Sequence, residues 1–192
     1  MAVARSYFDA RLTMSHDAIP TIGIFFGSDT GNTERIAEMI GERLPEIEFV
    51  CKDIDKSSVD EFMDFEVLLF GVSTWNIGEI QCSWEDLLDD LKTRDFSGKR
   101  VGLFGLGDSA GYPDTFVDGL GILWECVGKE RPPLIGVWSK EGYIFDDSRG
   151  MFDENHFLGL VIDEDSEPEY TDERVDRWVE QIKRELMGMD SP

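Results

Sequence analysis

A chain of 192 residues, 41% of them apolar and 11% aromatic, suffices for one domain with a filled core and is short for two. Acidic residues outnumber basic ones 41 to 18, for a formal charge of −23, a field that repels nucleic-acid phosphates and anionic lipid and attracts a basic protein face. No run approaches the roughly 18 uninterrupted apolar residues of a membrane span, so a soluble protein without nucleic-acid or membrane partners is expected.

Residues 1–19 lack periodicity, carry Arg5, Arg11, His16 and Asp17, and precede Pro20; they read as a flexible leader. A targeting-peptide remnant, an appended scar and an upstream start with Met14 as the alternative all fit, and a secretory apolar segment is missing. Cys51, Cys82 and Cys126 are widely spaced and form no CxxC or Cys/His pairing, which suits the free thiols of a reducing compartment. The expected location is the cytoplasm, or a plastid stroma if the leader is a transit remnant. His16 and His156 stand apart, and no metal site is expected.

From residue 21 apolar runs and helical patterns alternate. Thr21–Phe26 reads as a strand ending at Gly27, and Ile36, Met39, Ile40 and Leu44 share one face of the helix that follows. Glu46–Cys51 and the apolar run Val67–Val72 read as the next strands. Trp84, Leu87, Leu88 and Leu91 follow at i, i+3, i+4 and i+7. Arg100–Leu106 is a strand, followed by a helix bearing Phe116, Leu120, Leu123 and Val127. Pro132–Trp138 and Phe157–Ile162 are strand-like, and Val175, Trp178, Val179, Ile182 and Leu186 mark a closing helix. Strands alternating with helices predict a doubly wound α/β domain over 20–188, a five-stranded parallel sheet covered on both faces, with a short tail at 189–192. The stretch 139–155 is long for a loop in a compact domain and reads as an inserted subelement or a partner-binding loop.

Three loops at strand ends carry the chemistry. GSDTGNT, Gly27–Thr33, opens directly into a helix and gathers three hydroxyls (Ser28, Thr30, Thr33) around helix N-terminal amides, which suits a phosphate. Neither G-x-x-x-x-G-K-[ST] nor G-x-G-x-x-G is present, so a phosphate monoester remains in preference to a triphosphate or a dinucleotide. An ordinary capped turn needs only one of those hydroxyls. STWNIGE, Ser73–Glu79, sets Trp75 at a polar strand terminus, where its ring suits stacking on a flat ligand as well as packing beneath its own loop. GLGDSAGYPD, Gly105–Asp114, is rich in glycine and sets Tyr112 before a helix-starting proline. In open α/β sheets ligands bind at C-terminal strand ends where strand order reverses, and for the order 2-1-3-4-5 that point lies between the first and third strands.

GSDTGNTE, STWNIGEIQ and GLGDSAGYPDTF together resemble the three FMN-binding loops of the flavodoxin family, in order and at family-like spacing, over about Thr21 to Leu186. Residues 139–155 and the run FLGLVIDED after them resemble the insertion that splits the last strand in long-chain members. The resemblance implies the sheet order 2-1-3-4-5 and FMN as cofactor. It implies that Ser28, Asp29, Thr30, Gly31, Asn32 and Thr33 hold the phosphate with Thr74 nearby. It implies that Trp75 and Tyr112 sandwich the isoalloxazine, that Asn76, Ile77 and Gly78 address its N5 edge, and that Gly107 and Asp108 address its pyrimidine side; Ser73, Leu106 and Asp114 of the same loops join the cofactor-binding set. Relatives often carry Lys where this chain has Asn32, and Thr or Ser where it has Leu106.

The implied function is a low-potential, monomeric one-electron carrier serving the basic face of partners such as a ferredoxin/flavodoxin–NADP reductase. A flavin passes single electrons only when its two reduction steps are separated, and negative surroundings oppose the second. One extra charge at about 10 Å and an effective dielectric of about 20 costs about 1.7 kcal/mol, or on the order of 70 mV for a one-electron couple. The alternative within the superfamily is an FMN-dependent NAD(P)H quinone or nitro reductase, which needs an open flavin face. A receiver-type signalling module fits poorly, because the third strand ends in GVSTW rather than in a phosphoacceptor Asp. No nucleophile–base set is legible: Ser109 has no His that the sequence can place nearby.

Overall fold

In the computed structural model residues 21–128 and 132–188 are described, so the expected leader and tail lie outside them. In chain order the elements are β1 (Ile22–Phe26), α1 (Asn32–Glu42), β2 (Phe49–Asp53), α2 (Val59–Phe62), β3 (Val67–Trp75), β4 (Glu79–Ile80), α3 (Cys82–Leu91), β5 (Arg100–Leu106), α4 (Asp118–Val127), β6 (Leu134–Ile135), β7 (Trp138–Ser139), β8 (His156–Phe157), β9 (Leu160–Ile162) and α5 (Thr171–Leu186). The main sheet runs β2-β1-β3-β5 and then a fifth position, all parallel. That fifth position is shared: β6 pairs with Val101–Gly102 of β5, and β9 pairs with Phe104–Leu106. The expected order therefore holds, with the last strand divided around an insertion.

The division has a local cause. Gly136, at φ 73, turns the chain out of the strand expected over Pro132–Trp138, a conformation that favours glycine. Trp138–Ser139 then pairs antiparallel with His156–Phe157 in a small sheet of its own. The run Phe157–Ile162 is likewise two strands, because Leu158 N–H turns to the Gly150 carbonyl at 2.8 Å. The strand expected over Glu46–Cys51 begins at Phe49, since Ile47 N–H closes a turn on the Leu44 carbonyl at 3.0 Å. Phe116, placed in a helix by its spacing, lies before α4.

Both faces of the sheet are filled. Phe25, Phe62, Phe70, Trp84 and Phe96 pack ring on ring beneath α2 and α3, and Trp84 Nε1 donates to the Gly71 carbonyl at 2.8 Å. On the opposite face Phe104 meets Trp178 of α5. Each such side chain, fully buried, contributes about 1.5–3 kcal/mol. The parallel pairing brings the C-terminal ends of β1, β3, β5 and β9 to one edge, so four loops converge there.

Candidate functional site

The loop after β1 is shaped from within. Ser28 Oγ accepts the Gly31 N–H at 3.1 Å, and Gly31 at φ 86 is the residue before α1, with no side chain capping the helix. The first intrahelical bond runs from Arg35 N–H to the Gly31 carbonyl at 2.9 Å. The amides of Asn32, Thr33 and Glu34 therefore precede the first helical donor, and this end carries the positive end of the helix dipole. Thr30, Asn32 and Thr33 face a cavity of about 430 Å³.

The loop after β3 is a hairpin into β4, with Thr74 opposite Ile80 and Trp75 opposite Glu79. Its tip is Asn76-Ile77-Gly78, with φ 47 at Asn76 and 81 at Gly78. Thr74 Oγ1 accepts the Gly119 N–H at 3.0 Å, leaving its own proton to donate. Trp75 Nε1 donates to Ser73 Oγ at 3.0 Å, which fixes the indole. Asn76 Nδ2 donates to Glu79 Oε2 at 2.6 Å. Ser73, Thr74, Trp75 and Asn76 line the same cavity. Beneath the tip, a Cβ on Gly78 would lie 2.7 Å from Asp118 Oδ2. Asp118 is buried and accepts the Arg149 N–H at 2.7 Å; burial raises its carboxyl above the usual range.

The loop after β5 brings Leu106, Gly107, Asp108 and Tyr112 to the cavity, and Thr115, Phe116 and Val117 line its floor. Asp108 Oδ1 accepts from the N–H groups of Ala110 and Gly111 at 3.1 and 2.8 Å and from Ser166 Oγ at 3.2 Å, so this carboxylate folds its own loop. Gly107 N–H is committed to the Ile162 carbonyl at 3.2 Å. A fourth loop, after β9, adds Glu164 and Asp165. Fully buried Asp163 locks it to the third: its carboxylate accepts from Ser109 N–H and Oγ at 2.9 and 2.6 Å and from the N–H groups of Asp165 and Ser166 at 3.2 and 2.8 Å.

The cavity has an uncapped helix N-terminus with hydroxyls at one end, and Trp75 and Tyr112, outside the ring-on-ring network of the core, elsewhere on its wall. The family model for flavodoxin matches residues 24–178. The chain belongs to the flavodoxin family. It is 47% identical to the flavodoxin of Klebsiella pneumoniae over 165 residues, covering 86% of this chain and 94% of that one. It is 47% identical to flavodoxin 1 of Escherichia coli strain K12 over 164 residues, covering 85% and 93%. The structure of Fusobacterium nucleatum flavodoxin bound to flavin mononucleotide superposes with a TM-score of 0.81 at 32% identity, covering 86% of this chain and 98% of that chain.

Of the residues that the flavodoxin resemblance assigns to cofactor binding, Thr30, Asn32, Thr33, Ser73, Thr74, Trp75, Asn76, Leu106, Gly107, Asp108 and Tyr112 line the cavity. The others stand outside its lining. Ser28 and Gly31 shape the first loop. Asp29 is turned to α3, where its Oδ1 accepts from Gln81 Nε2 at 3.0 Å. Ile77 projects outward, 81% exposed; Gly78 packs on Asp118; Asp114 sits in the short helical turn Pro113–Thr115. Thr115, Phe116, Val117, Glu164 and Asp165 are the lining residues that sequence reasoning missed. Their one sequence signal was position: Glu164 and Asp165 follow an apolar strand, as the other three loops do.

Proposed function

We propose that this chain holds one FMN in the cavity and carries single electrons between redox proteins, with the phosphate at the α1 N-terminus and the ring between Trp75 and Tyr112. Bound FMN supplies a ring that accepts and releases electrons one at a time. The observation that carries the reading is the pairing, in one cavity, of an uncapped helix N-terminus with two aromatic side chains free of the core.

The amides of Asn32, Thr33 and Glu34 and the hydroxyls of Thr30, Thr33 and Thr74 would hold the phosphate without a lysine, through hydrogen bonds that charge strengthens. Trp75 and Tyr112 would cover the ring and exclude water from it. The Asn76–Gly78 tip, where Gly78 permits peptide rotation, would turn a backbone carbonyl to accept a hydrogen bond from a protonated N5. Asp108 and Asp165 would oppose added negative charge on the ring, lowering the second reduction potential. The charge of −23 favours a basic docking face such as that of a ferredoxin/flavodoxin–NADP reductase. A single copy acting in the cytoplasm completes the proposal.

Titration of the apoprotein with FMN and with riboflavin tests the placement. FMN should bind 1:1 and riboflavin, lacking the phosphate, at least about tenfold more weakly, the equivalent of one charge-assisted hydrogen bond. Equal affinities would remove the phosphate from the α1 terminus.

A further inference from the structure

The charge lining the cavity is one-sided: Asp108, Glu164 and Asp165 are carboxylates, and none of its lining residues is Lys, Arg or His. The crowding is visible at Asp165, whose carboxyl is raised by burial and by the negative charges of Asp108, Asp163 and Glu164. A phosphate dianion and a ring that gains electrons are both disfavoured beside such a wall.

One cation meets the wall from behind. Arg35 lies one turn along α1 from Asn32, and its Nη2 forms an ion pair with Glu164 Oε2. The other carboxylate oxygen, Oε1, accepts from Thr171 Oγ1 at the start of α5 at 2.5 Å. The Glu164 side chain is only 15% exposed, against 46% for Arg35. The pair is thus anchored at its buried end, where salt screens little, and a neutral pair perturbs a nearby ring far less than a bare carboxylate does. Arg35 Nη1 donates to Met39 Sδ at 3.3 Å, which holds the side chain along the helix.

We propose that Arg35 is a positioning residue that sets the FMN affinity and reduction potential of this chain by neutralising Glu164. The inference rests on the cavity being the FMN site. Asn32 supplies no charge in the phosphate loop, and Arg35 compensates one turn later by cancelling the charge of Glu164 in the loop after β9. The same contact ties the phosphate end of the cavity, on α1, to the loop after β9.

The test uses holoprotein at low ionic strength: R35Q, R35K, E164Q and the R35Q/E164Q double variant, each measured for both one-electron couples and for FMN dissociation. R35Q should weaken FMN about fivefold and shift the second one-electron equilibrium about fivefold away from reduction, about 40 mV at about 59 mV per tenfold. R35K, which keeps the charge, should stay within about twofold of the parent. E164Q should also stay within about twofold, because an unpaired Arg35 is free to extend into solvent, and R35Q should then add nothing in the E164Q background. Apoprotein urea midpoints separate a folding defect from an electrostatic one, and R35A provides the same comparison should R35Q fold poorly. An unshifted couple in R35Q that still binds FMN 1:1, or an equal shift with and without Glu164, would overturn the role of Arg35. A parent protein that binds no FMN would instead overturn the reading of the cavity.

Discussion

The Trp75 indole is fixed by its bond to Ser73 Oγ, so little side-chain entropy would be lost were a flavin ring to stack on it as proposed. Removing a stacking aromatic costs about 1–3 kcal/mol, which is about 5- to 150-fold in affinity. Trp75→Ala should therefore weaken FMN by one to two orders of magnitude and raise the second reduction potential, as fluorescence titration and spectroelectrochemistry would record; unchanged values would take Trp75 out of the site. Asp118 makes a different kind of prediction. Its carboxyl lies above the ordinary 3.8 because burial disfavours the charge. Between 3.8 and its higher folded value the native chain binds more protons than the unfolded one, so stability falls as pH rises through that window, and the full penalty persists above it. Asp118→Asn keeps an oxygen for the Arg149 N–H and removes the charge. Its stability gain over the parent, from urea midpoints, should vanish near about pH 3 and grow towards about pH 7; a gain that shrinks with rising pH would contradict the assignment.

At the scale of elements, the insertion between β6 and β9 is packed rather than loose. Phe116, Tyr143, Phe145 and Phe157 form an aromatic cluster, and the Arg174 guanidinium lies 4.0 Å from the Tyr143 ring centroid. Tyr143 Oη donates to the Val161 carbonyl of β9 at 2.6 Å and accepts from Trp138 Nε1 of β7 at 3.0 Å. It thereby joins the small sheet to the strand whose end presents Glu164 and Asp165. Tyr143→Phe would leave both partners unsatisfied and should cost about 1–3 kcal/mol by urea denaturation; a loss below about 0.5 kcal/mol would show that water replaces the hydroxyl.

The strands and helices that carry continuous apolar runs or strong 3.6-residue periodicity were legible in the sequence, as were the loops after β1, β3 and β5, because each sits directly at a strand end. The division of Pro132–Trp138 and Phe157–Ile162 was not, since an apolar run does not reveal a turn made by Gly136 or a long-range bond from Leu158 to Gly150. Glu164 and Asp165 reach the cavity only through the pairing of Leu106 with Ile162, a register set by tertiary contact. The Asp29 carboxylate is engaged by Gln81, 52 residues away, a contact that no local sequence spacing reveals.

For the whole molecule, four strand ends on one edge of a parallel sheet, a charge of −23 and a cavity wall bearing carboxylates act in the same direction. In the proposed reading they would bind FMN by amides, hydroxyls and stacking, while opposing its accumulation of negative charge. Among the described residues no helix is long and apolar enough to cross a membrane. The most direct test is a reductive titration of the purified protein followed by its visible spectrum. A carrier built in this way should show one FMN per chain and two resolved one-electron steps, the second at clearly lower potential. A single two-electron step, or a protein that holds no flavin, would contradict it.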